Sequence, residues 1–178
     1  MKPISNFFFL CSLALTLAVL PHPILADGAS DLVQQVCART QNRQSCLTTL
    51  QSEPDSKTAN LDELGVIATK LARALAEQIA ERAKEVLLNK TSLGPENEQA
   101  VRDCVELYED AVSQLDSANA ALLSHAYSDL SLYLATALAD AETCEMGFSK
   151  PGLLTEYHTK FSQLCDTASA ISRQLDKK

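Results

Sequence analysis

The sequence is poor in residues that mark several common protein classes. It has no tryptophan, five glycines and six prolines among 178 residues, which argues against collagen-like chains and disordered chains rich in proline and glycine. Basic residues are also scarce, because 15 Lys and Arg stand against 23 Asp and Glu and give a formal charge of −8. A protein that binds duplex nucleic acid needs a basic face to displace phosphate counterions, so this balance argues against such a partner.

Recognisable catalytic and metal-binding patterns are missing from the sequence as well. It contains no C-x-x-C, no H-E-x-x-H and no glycine-rich phosphate loop, and hence no signature of a zinc, redox or nucleotide site. His158 and Cys165 are seven residues apart, about 10 Å along a helix, which is too far for a nucleophile and its base. We therefore expect a binding protein rather than an enzyme, without a metal or another cofactor.

Residues 1–26 have the layout of a secretory signal peptide. Lys2 gives a positive start, residues 7–20 form an apolar run, and Ala26 is a small residue suited to cleavage. An uncleaved membrane anchor is the alternative, but the run is shorter than the ~20 residues of a spanning helix, and no later stretch is apolar enough to span a membrane. Cleavage leaves residues 27–178 with a formal charge of −9. We expect secretion to the extracellular space or apoplast, with the vacuole as the alternative destination.

The rest of the chain shows the periodicity of a helical bundle. Apolar residues recur at alternating steps of three and four in four long segments, as in helices that pack against each other at about 20°. Short breaks, such as residues 124–126, separate segments and force neighbouring helices to run antiparallel. We predict an all-α fold in which an up-down-up-down four-helix bundle over residues 57–178 follows a helical hairpin over residues 27–56.

The apolar stripe of the first bundle helix drifts somewhat along the helix, whereas the stripe of the fourth is an uninterrupted repeat. Asn60 and Glu63 predict a capping box at the start of the first helix, whose stripe consists of Leu64, Ala68, Leu71, Leu75, Ile79, Ala83 and Val86. The stripe of the fourth helix consists of Leu154, Tyr157, Phe161, Leu164, Ala168, Ile171 and Leu175. Cys165 lies beside that fourth stripe.

Five cysteines follow the predicted signal peptide, and secretion makes them candidates for disulfide bonds before metal ligands. Cys104 lies 21 residues before His125 and Cys144 lies 19 residues after it. Antiparallel helices that meet at this turn bring both cysteines to the same height, which favours a bridge between the helices. Cys165 has no partner at equal height, and we expect it to be a buried free thiol.

Cys37 and Cys46 are nine residues apart, about 13.5 Å along a continuous helix. This distance is too long for a disulfide. The two cysteines can pair only if the chain reverses between them, and spacing alone leaves their pairing open.

The mature chain resembles the plant invertase/pectin methylesterase inhibitor family nearly from end to end. The resemblance is carried by Cys37 and Cys46, and by the segments ANLDELG at 59–65, DCVELYEDA at 103–111, ADAETCEMGF at 139–148 and QLCD at 163–166. It implies the pairs Cys37–Cys46 and Cys104–Cys144, with Cys165 unpaired, so that a disulfide staples the N-terminal hairpin. It also implies a proteinaceous inhibitor, monomeric when free, that covers the active-site cleft of its target in a one-to-one, non-covalent complex.

Pectin methylesterase is the target that the resemblance favours. Invertase inhibitors of the family insert a Pro-Lys-Phe segment, from the loop before the third bundle helix, into the invertase pocket, whereas this sequence has HAYSDL at 125–130. The segment YSDLSLY at 127–133 resembles pectin methylesterase inhibitors instead. Inhibition of cell-wall or vacuolar acid invertase (β-fructofuranosidase) is the alternative, because pollen-type invertase inhibitors also lack the motif.

Two further functions belong to other classes. Such a bundle can be the pro-region of a pectin methylesterase, although the chain ends directly after the last predicted helix, which favours a free-standing inhibitor. A bundle that binds a lipid or another small molecule is the other possibility, but the alanine-rich stripes leave little room for a ligand.

The resemblance also implies, position by position, which residues contact the target. The contacts fall on the second bundle helix and beside Cys144, with two serines as weaker candidates: Glu106, Asp110, Ser113 and Thr143, then Ser128 and Ser131. The alternative for each is an ordinary solvated side chain. Negative charge would steer the protein toward a basic enzyme surface and away from polyanionic pectin.

Besides the predicted signal peptide and the cysteines, the sequence contains a further feature of a secreted protein. Asn89-Lys90-Thr91 is an N-glycosylation sequon near the end of the first bundle helix. A modified Asn89 would lie in solvent.

Overall fold

A computed structural model describes residues 27–89, 94–148, 152 and 154–177. These residues are all-helical, as predicted, and contain α1 (Asp27–Cys37), α2 (Arg43–Ser52), a short 3-10 turn (Pro54–Lys57), α3 (Leu61–Leu88), α4 (Pro95–Leu123), α5 (Tyr127–Met146) and α6 (Thr155–Leu175). The predicted signal peptide, residues 1–26, lies outside the described residues. Among the helices described, none is both long and apolar enough to cross a membrane.

Helices α3 to α6 form the up-down-up-down bundle that the periodicity predicts. Helix α3 packs against α4 and α6, and α5 packs against the same two helices. Helices α1 and α2 pack against each other and against α6, so the N-terminal hairpin packs on the α6 side of the bundle. This arrangement leaves the outward sides of α4 and α5 uncovered along most of their length.

The start of α3 is fixed by capping and by close packing. The predicted capping box is present, since Glu63 N donates to Asn60 Oδ1 at 3.0 Å and Asn60 N donates to Glu63 Oε2 at 2.7 Å. At Gly65, two residues after Glu63, α3 lies very close to α4 and α6. A Cβ on Gly65 would lie 2.9 Å from Leu122 Cδ2 and 3.3 Å from Ile171 Cγ2, so glycine permits this close approach.

The buried stripe of α3 differs from the predicted one in the middle of the helix. Ala72 and Ala76 are fully buried, whereas Leu71 and Leu75, which the prediction placed in the core, are half-buried. The reason is that α3 borders two helices, so small side chains occupy the centre of its buried face and leucines cover the edges. The prediction of these two core positions was wrong by one residue each.

Two disulfides hold the helices in register. Cys37–Cys46 joins α1 to α2 with a Cα–Cα distance of 5.4 Å, and Cys104–Cys144 joins α4 to α5 with a Cα–Cα distance of 4.8 Å. Cys165 is unpaired and fully buried. It belongs to the buried stripe of α6, so placing it beside that stripe was wrong, because the helix turns its adjacent residue Leu164 toward the edge instead.

Candidate functional site

Three of the predicted contact residues share the outward face of α4. Glu106, Asp110 and Ser113 are exposed and spaced by four and three residues, so they lie one above another on the helix. The opposite side of α4 is buried through Tyr108 and Ala111. The three polar side chains therefore project from a helix whose position the core determines.

The two flanks of α4 differ in charge compensation. On the flank toward α3, Glu109 pairs with Lys84 at 2.9 Å and Asp116 pairs with Arg73 at 2.6 Å. On the flank toward α5, no Lys or Arg of the described chain forms an ion pair with Asp110. Negative charge is consequently neutralised on one side of α4 and left uncompensated on the other.

Asp140 of α5 adds to the negative charge on the uncompensated flank. Burial raises the pKa of Asp140, and the negative charge of Asp110 raises it further. The Oδ2 atom of Asp140 is buried without a hydrogen-bond partner among the described residues. The electrostatic contact shows that Asp110 and Asp140 face each other across the α4–α5 seam.

Thr143 lies one turn beyond Asp140 on α5 and is exposed. Its hydroxyl donates to the carbonyl of Ala139 at 2.7 Å, which leaves the hydroxyl oxygen able to accept a hydrogen bond from a partner. The structure thus brings Thr143 to the same surface as the α4 residues. Whether these side chains contact a target stays a prediction.

The two weaker candidates separate from each other. Ser128 is exposed on the outward side of α5. Ser131 lies toward α6, where its Oγ is 2.7 Å from Oγ of the buried Ser172. The structure therefore groups Ser128 with the outward face and places Ser131 at the α5–α6 seam.

The outward side of α5 contains apolar residues that are not among the contact residues implied by the family resemblance. Leu132 and Met146 are exposed to 63% and 76%, and the exposed Ala135 and Ala139 lie between them. We call these four residues the α5 outer stripe. A signal for them exists in the sequence, because positions 132, 139 and 146 follow a seven-residue repeat on the side opposite the predicted buried stripe.

The turn before α5 is tied to the start of α3. His125 has a positive φ of 56°, and its Nδ1 lies 2.8 Å from the hydroxyl oxygen of Tyr127. That hydroxyl donates to Asp62 Oδ1 at 2.8 Å, and this hydrogen bond, with burial and the Asp62 charge, raises the pKa of Tyr127. These contacts hold the turn against the bundle end.

The described residues bring together few groups of the kind that catalysis uses. No group of three or more His, Cys, Asp or Glu residues that could hold a metal occurs in the part of the chain described. Burial, and then the charge of Asp166, raises the pKa of the Cys165 thiol, so this thiol stays protonated and is a poor nucleophile. The outward faces of α4 and α5 instead offer hydrogen-bonding and charged groups on rigid helices.

The family described as plant invertase/pectin methylesterase inhibitor matches residues 31–171. The chain belongs to this family. Its members are proteinaceous inhibitors rather than enzymes, and the described helices and both disulfides are the frame on which this chain presents the α4 and α5 faces.

Individual relatives extend over almost the whole chain. It is 30% identical to "Pectinesterase inhibitor" of Actinidia deliciosa over 175 residues, which cover 96% of this chain and 94% of the relative. It is 31% identical to "Putative invertase inhibitor" of Platanus acerifolia over 178 residues, which cover 94% and 97%. One relative is named for pectinesterase and the other for invertase, and this chain is almost equally identical to both. Sequence identity alone therefore does not distinguish the two targets.

The fold is shared with a solved structure. The crystal structure of a mutant form of a pectin methylesterase inhibitor from Arabidopsis superposes with a TM-score of 0.71 at 24% identity. The match covers 79% of this chain and 95% of that chain. The likeness shows the fold alone.

Proposed function

We propose that the protein is a secreted inhibitor of pectin methylesterase that binds the enzyme one-to-one and covers its active-site cleft without a covalent bond. The observation that carries this proposal is the uncompensated negative charge on the α4–α5 surface. It coincides with Glu106, Asp110 and Thr143, the positions at which the family resemblance implies target contact. A charged group left unpaired beside other like charges is suited to an ion pair with a cationic partner.

The chemistry of the surface favours reversible binding. Carboxylates and small hydroxyls form ion pairs and hydrogen bonds, directly or through water, and such contacts make up the polar part of a typical protein interface. The free thiol, Cys165, is buried in the core and cannot reach a partner. Inhibition should therefore be relieved by dilution.

The disulfide between α4 and α5 supports the surface directly. Glu106 is two residues from Cys104, and Thr143 is adjacent to Cys144, so the bridge fixes the relative height of the two contact-bearing segments. A surface that is rigid before binding loses less conformational entropy on association. We infer that this bridge preorganises the inhibitory face.

The choice of pectin methylesterase over invertase rests on the turn before α5. The turn has no Pro-Lys-Phe segment, and its contacts from His125 and Tyr127 to Asp62 hold it against α3. A tethered turn does not supply a projecting segment that could enter a deep pocket. Acid invertase remains the second candidate, because the Platanus acerifolia relative is named an invertase inhibitor.

The proposal includes secretion. Residues 1–26 are the proposed signal peptide and residues 27–178 the inhibitor domain, delivered to the apoplast as a monomer. Asn89 is the proposed glycosylation site. It is exposed at the end of α3, where its side-chain amide donates to the carbonyl of Glu85 at 3.0 Å, while Thr91 of the sequon lies outside the described residues.

The experiment that tests the function is a side-by-side titration of residues 27–178 against a plant pectin methylesterase and an acid invertase. We expect pectin methylesterase activity to fall with a one-to-one endpoint and to return on dilution, with invertase unaffected. Inhibition of invertase alone would move the function to the second candidate, and inhibition of neither enzyme would overturn the proposal.

The same assay tests the assignment of the face. A variant with Glu106→Gln, Asp110→Asn and Thr143→Ala should inhibit pectin methylesterase less strongly than the wild type. Its matched control combines Glu81→Gln, Glu85→Gln and Thr48→Ala, which alter exposed residues of α3 and α2. A triple α4–α5 variant that inhibits at wild-type strength would show that another face binds the enzyme.

A further inference from the structure

Helix α5 is apolar on two opposite sides. Its buried side packs in the core through residues that include Leu134 and Ala141. Its outward side contains the α5 outer stripe, whose four members are all exposed, together with the polar residues Ser128, Glu142 and Thr143. An exposed apolar strip with polar residues at its border has the composition of an interaction surface rather than of a fully solvated helix face.

The outward sides of the neighbouring helices have a different composition. Helix α3 exposes Glu77, Glu81 and Arg82, and α4 exposes Glu106 and Asp110. Charged side chains of this kind keep a helix face in solvent. Leu88 of α3 and Leu123 of α4 are exposed as well, but each is the last residue of its helix, whereas the α5 outer stripe extends along its helix.

The shape of the stripe suits an intermolecular contact. Leu132 and Met146 are 14 residues apart, about 21 Å along the helix; Ala135 and Ala139 lie between them, and the exposed Glu142 lies one turn before Met146. Two large flexible side chains thus flank a low strip on which another backbone or side chain can approach closely. Contacts of this kind, an apolar centre with a polar rim, are the usual anatomy of a protein interface.

We propose that the α5 outer stripe is the apolar centre of the surface that binds pectin methylesterase, with Leu132 and Met146 as its principal contacts. The inference rests on the proposed function and extends it, since the residues implied by the family resemblance are polar. Thr143 and Ser128 lie on the same side of α5, and Asp110 borders it across the α4–α5 seam, so the stripe is continuous with the candidate contact residues. The fitting partner surface has apolar side chains beside Lys or Arg.

Charge argues for this occupant over a second copy of the chain. Asp110 and Asp140 border the stripe without a cationic partner in the described residues. A symmetric dimer formed through α5 would place these carboxylates near the same patch of the other copy. Like charges at an interface oppose association, whereas a cationic partner compensates them.

The test compares the double variant Leu132→Gln, Met146→Gln with the wild type. Both side chains are largely exposed, so helical content by circular dichroism and the urea midpoint should not change. We expect the dissociation constant for immobilised pectin methylesterase to rise at least tenfold, about 1.4 kcal/mol, chiefly through faster dissociation. The matched control is Leu88→Gln, which alters a leucine that is 83% exposed at the end of α3 and should leave binding unchanged.

The outcomes separate this inference from the proposed function. A wild type that inhibits, together with a double variant that binds equally well, overturns the role of the stripe and leaves the function intact. A wild type that leaves pectin methylesterase fully active overturns both. Light scattering that finds a wild-type dimer and a monomeric double variant would assign the stripe to a second copy of the chain, and so would also overturn the inference.

Discussion

Asp140 lies beside the candidate contact residue Asp110, and its own ionisation affects the stability of the fold. Its carboxyl group has a raised pKa because it is partly buried and faces Asp110. A raised pKa means that the folded protein disfavours the ionised form more than the unfolded chain does. The resulting destabilisation is present at pH values above the raised pKa and disappears below the ordinary value of about 3.9.

We therefore predict that Asp140→Asn stabilises the protein at pH 7. The gain in the free energy of unfolding should shrink as the pH falls through the raised pKa, since the wild-type carboxyl is then neutral as well. Urea unfolding followed by circular dichroism at a series of pH values measures this difference. Glu142→Gln, an exposed carboxylate on the same helix, is the control and should show no comparable pH-dependent gain; equal stability of Asp140→Asn and wild type at pH 7 would contradict the argument.

Two fully buried polar groups of the core remain neutral. Tyr108 and Cys165 are fully buried, and burial is the largest cause of the raised pKa of each. The ring of Tyr108 packs edge-on against Phe161 with centroids 5.5 Å apart. Both groups are therefore uncharged at physiological pH, and the Tyr108 hydroxyl is buried without a hydrogen-bond partner among the described residues.

At the level of helices, the sequence pattern predicts the bundle well because alternating steps of three and four determine which side of each helix is buried. It predicts the centre of α3 poorly. A search for apolar periodicity assigns large residues such as Leu71 to the buried stripe. Where α3 contacts two helices, however, the most buried positions are those of Ala72 and Ala76. Steric fit between helices, which one helix's sequence does not contain, decides these positions.

The candidate site was predictable only in part for the same reason. Spacing places Glu106 and Asp110 on one face of α4. The approach of Asp140 to Asp110 depends on how α4 and α5 are rotated against each other, and the displacement of Ser131 toward Ser172 depends on the position of α6. Such relations between helices appear only once the helices are packed.

The bridge between α4 and α5 yields a prediction at this scale. It closes a loop of 40 residues, so replacing Cys104 and Cys144 with Ala should lower the free energy of unfolding by about 2–5 kcal/mol. Urea unfolding of the double variant measures the loss. Cys165→Ala removes a buried sulfur without breaking a bridge and should cost about 1 kcal/mol; equal losses for the two variants would show that the bridge adds no stability of its own.

For the whole molecule, the distribution of charge matters more than its sum. Residues 27–178 have a formal charge of −9, but the α3 side of α4 is neutralised by Lys84 and Arg73. The carboxylates of Asp110 and Asp140, which form no ion pair among the described residues, lie next to the α5 outer stripe. Under the proposed function, an acidic border beside an apolar centre would orient a basic enzyme toward that surface, because long-range attraction guides the encounter and the apolar contact slows dissociation.

The position of negative charge on the α4–α5 surface leads to the last prediction. Asp110→Lys should weaken inhibition of pectin methylesterase, and it should also reduce the sensitivity of the complex to salt, because the wild-type attraction that salt screens is partly lost. The measurement is the dissociation constant at low and high ionic strength, with circular dichroism to verify unchanged helical content. Asp176→Lys makes the same change of charge just after α6, at an exposed position, and should have a much smaller effect. If both variants weakened binding equally, net charge alone would steer the enzyme, and the position of Asp110 on the α4–α5 surface would have no special role.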